Sequence, residues 1–513
     1  MKFECTGVKK SWLDVKMPVW MPGYYQLLNY ADNISEFHVT DQRGDSLRWE
    51  KANYNTWRIY INDAAAFTVT YNVKAVRNFV ATNYLDEERG FIAPPGMFLH
   101  VDGLINHPVT VMVQPYSKWD RIATGLEPVK GEKYTYMAPD FDVLYDSPIL
   151  VGNLEELPSF TVRGVPHYFI GYKPGQFDRA AFMNDLKKVV EAAAEMMGDI
   201  PFKHYTFIAI GPGGGGIEHL NSAAVSFDGT GMNSAESRKG VLSFLAHEYF
   251  HHYNAKRIRP IELGPFDYDK GSRTDMLWVA EGITSYYERF LLMRAGLITE
   301  SDLLKKFESH IKAYENKPGR LFQSVAQASY DTWSDGPFGR TGDDVNKTIS
   351  YYDKGPVLAM MLDFKIRHQT NNKKSLDDVM RMLYKEYYQA RKRGYTAQEF
   401  RDVCEKIAGV SLGSFFEYVY TVKEVDYGQY LSYAGLTIDT VSNGKPATMK
   451  LLQDVTNEKV GSIVTLQVEQ GGVLKTIPMI LGTHSTRSFT IGRVSNPTKL
   501  QAAILSDWMR VGK

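Results

Sequence analysis

The chain has 513 residues, 59 basic and 59 acidic, so its formal net charge is zero, and 44% of its residues are hydrophobic. Balanced charge of this kind leaves no electrostatic footprint for nucleic acid, and the composition excludes a disordered chain. No run of about 18 apolar residues occurs, so no transmembrane helix is expected. The two cysteines, Cys5 and Cys404, are too few for a thiolate metal site, so nitrogen and oxygen donors must hold any metal.

At about 150 residues per domain the length fits roughly three domains. Residues 1–158 read as β: Thr56–Ile61 and Phe67–Val73 are rich in β-branched and aromatic residues. Turn signals at Arg43-Gly44-Asp45, Asn62-Asp63 and Pro94-Pro95-Gly96 separate such runs, and short strands at this spacing predict a sandwich or saddle-like sheet. The Arg43-Gly44-Asp45 triplet is read as a hairpin turn, not an adhesion signal. Near residue 160 the texture changes. Asp178 can cap a helix whose apolar positions Phe182, Leu186, Val189, Val190, Ala193 and Met197 follow a 3.6 period and which Gly198 ends. A strand-like run, Tyr205–Ile210, leads into Gly213–Gly216. Residues 240–425 are largely helical, with one long connection from Arg259 to Asp275. After residue 427 the pattern returns to β, with Val464, Leu466 and Val468 alternating before a Gly471-Gly472 turn and the run Val473–Leu481.

The chemistry is concentrated at His247-Glu248-Tyr249-Phe250-His251. On a helix the two histidines lie about 40° apart, one turn above the other, so both imidazoles can reach one zinc ion. Glu248, the next residue round, is placed to take a proton from water. Glu281, in a second predicted helix running to Ala295-Gly296, is the expected third ligand. Two histidines and a glutamate leave a fourth position open, as a catalytic zinc requires. Glu288 is seven residues beyond Glu281 on the same face; it is expected to be a solvated helix charge in preference to a carboxylate orienting an imidazole.

Gly213–Gly216, Ile217, Glu218 and His219 precede the histidine helix. Glycine lets a substrate backbone approach closely, so Gly215 and Gly216 are candidate substrate-binding residues, with a flexible turn as the other reading. Glu218 offers a carboxylate for a peptide's free amine. His219 is not needed as a ligand, and no Lys-Ser/Thr follows to make a phosphate loop. A tyrosine near residue 352 could donate to the oxyanion of amide hydrolysis, although composition alone does not single one out among 32.

Taken in order, these pieces resemble the glycyl aminopeptidase family of zinc peptidases, gluzincins related to aminopeptidase N. The residues that carry the likeness are Met17–Tyr25, Asp146-Ser147-Pro148, Gly215–His219, His247–Pro260, Trp278–Gly282 and Tyr352–Gly355. The resemblance implies His247, His251 and Glu281 as ligands of one zinc ion, Glu248 as general base, Tyr352 as the oxyanion donor and Glu218 as the amine anchor. It implies a multidomain α+β fold: an N-terminal β domain (1–158), a thermolysin-like, mostly helical catalytic domain (159–427) and a small β-rich, PDZ-like C-terminal domain (428–513). This last region lacks a Gly-Leu-Gly-Phe-type loop, and only the hairpin Ser462–Leu481 looks PDZ-like, so the module is expected to be reduced.

The expected function is removal of N-terminal residues from peptide substrates, preferentially glycine and alanine. An endopeptidase with the same site, and a peptide-binding protein with a fossil metal site, are the alternatives. Lys2-Phe3-Glu4-Cys5 after Met1 has no apolar signal core, which reads as cytoplasmic. The abrupt start, and the export common among such relatives, tilt the expectation towards an extracytoplasmic protein whose targeting segment was removed.

Overall fold

The computed structural model describes the chain except residues 8, 62–63, 76, 341–345, 447–462, 471–472, 481–482 and 511–513. The Asn62-Asp63 and Gly471-Gly472 turns, and Ser462 and Leu481, therefore lie outside the described residues. The N-terminal region is β-rich, as its composition predicts, but it is not one sandwich. Among the described residues its strands form four small antiparallel sheets. One pairs Lys2–Thr6 and Ile34–Asp41 with the two edges of Ala66–Val73, and another runs Trp49–Asn53, Thr56–Tyr60, Trp12–Lys16, His100–Val101. Frequent turns keep these strands short, so no single sheet grows wide. Alternate residues Val15, Trp57, Ile59 and Val69 fill the common core. At Arg43-Gly44-Asp45 the Asp41 carboxylate accepts from the amides of Arg43 (2.8 Å) and Asp45 (3.0 Å), and Gly44 takes a left-handed φ of 90°. The triplet is indeed a hairpin turn.

The second region begins with a mixed sheet whose order is Glu155–Glu156, Val165–Gly171, Tyr205–Ala209, Ser222–Phe227, Gly211–Glu218. Its middle strands are parallel and Tyr205–Ala209 is buried throughout, while the glycine-rich strand Gly211–Glu218 is antiparallel and forms the open edge. The helix Arg179–Met197 covers this sheet, capped by the Asp178 side chain at Ala181 N (2.9 Å) and ended by Gly198 at φ 82°. From Ala235 to Ser432 the chain is mostly helical, broken chiefly by the long connection between Phe250 and Trp278. The region is thus helical over a small sheet, and the whole is multidomain α+β.

Two features of the C-terminal residues bear on the core. Leu436–Pro446 pairs antiparallel with Thr483–Arg493, and Ile463–Gln470 with Val473–Ile480, in keeping with the alternating pattern. The β reading of this stretch misses a final helix, Lys499–Trp508. Its Trp508 is buried among Phe290, Phe307 and Phe364, with centroids 4.8–5.7 Å away, and its indole donates to Tyr286 Oη (3.0 Å). The helix Lys499–Trp508 is therefore part of the core of the helical region.

Candidate active site

The helix Ala235–Phe250 carries His247 and Glu248, and His251 forms its C-cap. Glu281 sits in a widened π turn, Trp278–Ile283, that runs straight into the helix Thr284–Arg294. Such turns are uncommon and collect at functional sites. The side chain of Asn254, just past the histidine helix, donates to the Val279 and Ala280 carbonyls (2.9 and 3.1 Å), tying the two ligand-bearing segments together. A third helix, Tyr351–Gln369, crosses at Gly282 and Gly355. A Cβ on either glycine would lie 2.6 Å from the other's Cα, so only glycine permits this approach. The crossing brings Tyr352 Oη within 2.8 Å of Glu281 Oε2.

The three expected ligands converge. His247 Nε2 and His251 Nε2 are 3.0 Å apart, and Glu281 Oε2 lies 3.5 and 3.3 Å from them. Donors about 2.0–2.1 Å from one ion at tetrahedral angles stand about 3.3 Å from one another. The geometry and the donor set, two imidazole nitrogens and a carboxylate oxygen, fit a metal ion. All three side chains are buried. Each imidazole is also oriented from behind: His247 Nδ1 bonds Glu288 Oε2 (3.1 Å), and His251 Nδ1 donates to the Asn254 carbonyl (2.9 Å).

The Glu288 contact corrects the sequence expectation. Glu288 is not a solvated helix charge; it also accepts from Ser243 Oγ (3.3 Å) and lies 3.7 Å from Lys306 Nζ. Burial alone would raise its carboxyl, but the bond to His247 outweighs it and holds it at about 2. Helix Glu300–Glu315, which supplies Lys306, covers a face that looks exposed in the isolated sequence. Burial raises the Glu248 carboxyl to about 7 against the pull of His247 and His251, and a cation at the triad would lower it again.

On the edge strand, a bulge separates Gly211 from Gly216, and Gly213 and Gly215 adopt φ of 156° and 86°. The glycine run is thus a strand and not only a turn. Its two candidate glycines differ in role. A Cβ on Gly215 would meet only Val80 Cγ2, at 3.9 Å, whereas one on Gly216 would lie 2.6 Å from Phe244 and 2.7 Å from Glu248 Oε1. Gly216 lets the histidine helix sit against the strand.

Glu218 ends the strand, 4% exposed. Its neighbours form a buried network that sequence reasoning left without a role. Lys256 Nζ lies 3.6 Å from Glu218 Oε1 and donates to Asp146 Oδ1 (2.9 Å), which also bonds His219 Nδ1 (3.0 Å). His219 is not among the residues whose donor atoms converge at the triad. Burial would raise Asp146, but Lys256 and His219 outweigh it and hold its carboxyl below the usual range. Asp146 and Lys256 both fall in the motifs that carry the family likeness; only the fold reveals that they meet across 110 residues.

A second long-range contribution comes from the β domain. The segment Val19–Tyr25 reaches the site, anchored by Trp20, whose indole is fully buried against Phe266, Tyr268 and Trp333 (centroids 5.0–5.9 Å) and donates to the Asp267 carbonyl (2.7 Å). Gly23, at φ 90°, packs where a Cβ would meet Ile217 Cγ2 at 2.7 Å and Glu218 Oε2 at 2.9 Å. Tyr25 Oη donates to Glu281 Oε1 (3.3 Å).

A buried His-His-Glu triad on crossed helices, with a second buried carboxylate and a tyrosine hydroxyl at the same centre, is the arrangement of a metallopeptidase. Residues 1–153 match the Peptidase M61 N-terminal domain and residues 240–358 the M61 glycyl aminopeptidase domain, together just over half of the chain. The chain belongs to the M61 glycyl aminopeptidase family. Among solved structures, an aminopeptidase N family protein from Idiomarina loihiensis superposes with a TM-score of 0.83 at 22% identity, over 99% of this chain and 97% of that one. Yeast LTA4 hydrolase superposes with a TM-score of 0.51 at 14% identity, over 84% of this chain and 67% of that one. At these identities the likeness is one of fold. No curated protein matches the chain in sequence.

Proposed function

We propose that the protein is a zinc-dependent aminopeptidase that removes N-terminal residues with small side chains, glycine and alanine, from peptides, with His247, His251 and Glu281 holding one zinc ion. The observation that carries the chain-end preference is Glu218: a buried carboxylate at the end of the open glycine-rich edge, on the same strand as the Gly216 contact with Glu248. A peptide backbone can pair with that edge by strand addition, and its ammonium then meets Glu218. Zinc held by His247, His251 and Glu281 would supply Lewis acidity for water near neutral pH and for the scissile carbonyl. Glu248 takes the proton from the attacking water and returns it to the leaving amine. Tyr352 donates a hydrogen bond to the carbonyl oxygen as negative charge develops on it. The closed Gly282–Gly355 crossing keeps that hydroxyl at the centre. We read the C-terminal strands as part of a reduced PDZ-like module.

One observation favours a second reading, an endopeptidase. Lys256 already faces Glu218 at 3.6 Å, so part of the charge meant for a substrate amine is answered from within. Hydrolysis of glycyl-, alanyl- and leucyl-p-nitroanilide, with a chelator control and N-acetylglycyl-p-nitroanilide alongside, separates the readings. Chelator-sensitive cleavage of the free glycyl and alanyl compounds alone supports the aminopeptidase. Equal rates on the acetylated and free glycyl substrates remove the role given to Glu218.

A further inference from the structure

We propose that Tyr25, contributed by the N-terminal β domain, is a positioning residue for the metal centre: its hydroxyl holds the outer oxygen of Glu281 so that the inner oxygen faces the ion. This rests on Glu281 being a ligand. The two oxygens of that carboxylate are distinguishable. Oε2 is the one 3.3–3.5 Å from both histidine Nε2 atoms, and Tyr352 also bonds it. Oε1 points the other way and accepts from Tyr25 Oη, its one hydrogen-bond partner among the described residues.

The three ligands therefore follow one pattern: each has its metal-facing atom turned inward and a partner holding its outer atom. For His247 the partner is Glu288 and for His251 the Asn254 carbonyl, both within the helical region. For Glu281 it comes from a loop 256 residues earlier in the chain. Partners of this kind fix ligand orientation, and their loss typically weakens metal binding by about ten- to a hundredfold.

Tyr25 is not placed by chance contact. Its ring is buried and meets Trp333 edge to face at 6.4 Å, and Trp333 in turn packs on Trp20, the anchor of the same loop. Gly23 presses on Glu218 two residues earlier. One short segment of the β domain thus touches two carboxylates of the site, the ligand and the amine anchor. The β domain is a component of the metal centre, and a catalytic region freed of it would present Glu281 loosely.

The test is the zinc dissociation constant of the full-length Y25F protein, read by competition with a chromogenic chelator, beside the melting temperature of the metal-free form. Phenylalanine keeps the ring and its packing on Trp333 while removing the hydroxyl. Expected are zinc binding about ten- to a hundredfold weaker, an unchanged metal-free melting temperature, and kcat/KM that recovers at saturating zinc. E288Q should weaken zinc on the same scale. Wild-type zinc affinity in Y25F overturns the proposal. So does a fall in the metal-free melting temperature that accounts for the affinity loss, since Tyr25 would then act only by docking the domains. An E281Q protein that binds zinc like the wild type would show instead that the ligand set itself is wrong.

Discussion

The histidine helix and the Val19–Tyr25 loop both build the active site, by opposite means. His247 and His251 meet because four residues on a helix return to the same face, a local rule that holds in any context. Tyr25 meets Glu281 only because Trp20 is seated among three aromatic rings of the other domain. The first half of the site is encoded in spacing; the second depends on burying a surface. The two halves should therefore fail differently.

The largest expected effect breaks the helix-borne half without touching the loop. E248Q should keep the metal and the fold but lower turnover by about a hundred- to ten-thousandfold, since removing a general base costs that much. Steady-state rates together with metal analysis check it, and near-wild-type turnover in E248Q would be incompatible with the role given to Glu248. Trp20→Ala attacks the loop-borne half. A large aromatic deleted from a buried site costs about 3–5 kcal/mol, here taken from the seam between the domains. Denaturant unfolding should show that loss, with zinc retained by the histidine helix but bound more weakly as Tyr25 loses its place.

The smallest effect sharpens the comparison through pH. His100 is buried in the β domain, bonded to Tyr145 Oη at 2.8 Å, and burial lowers it from 6.5 to about 4 despite the pull of Asp269 and Asp102. The unfolded chain takes up this proton near pH 6.5 and the folded chain resists it until about pH 4, so stability falls as pH drops through that window and is unaffected above it. The slope is about 1.4 kcal/mol per pH unit, up to about 3 kcal/mol in all. Urea melts at pH 7.5, 5.5 and 4.5 should show the slope in the wild type and a shallower one in His100→Gln.

Much of this was legible in the sequence wherever the interaction was local. The Asp178 cap, the Gly198 stop, the strand at Tyr205 and the approach of His247 to His251 all read directly. Glu288 was misread because its exposure depends on helix Glu300–Glu315, which covers it. The helix Lys499–Trp508 was missed because a β pattern before it was extended to the chain end. The glycines at 282 and 355 stood in recognisable motifs, but their reason, a helix crossing with backbones in contact, needs two segments at once.

The sequence by itself determined the local candidates: two imidazoles one helical turn apart, a carboxylate beside them, and no thiolate to compete with them. Periodicity and side-chain type are sufficient for that, because each is a property of a few consecutive residues. Only the tertiary structure decided which hydroxyls and carboxylates face those donors, that Lys256 and Asp146 flank Glu218, and that Tyr25 reaches across from another domain. Those contacts follow from how apolar surfaces exclude water when the domains close on each other, and such burial is a property of the whole chain.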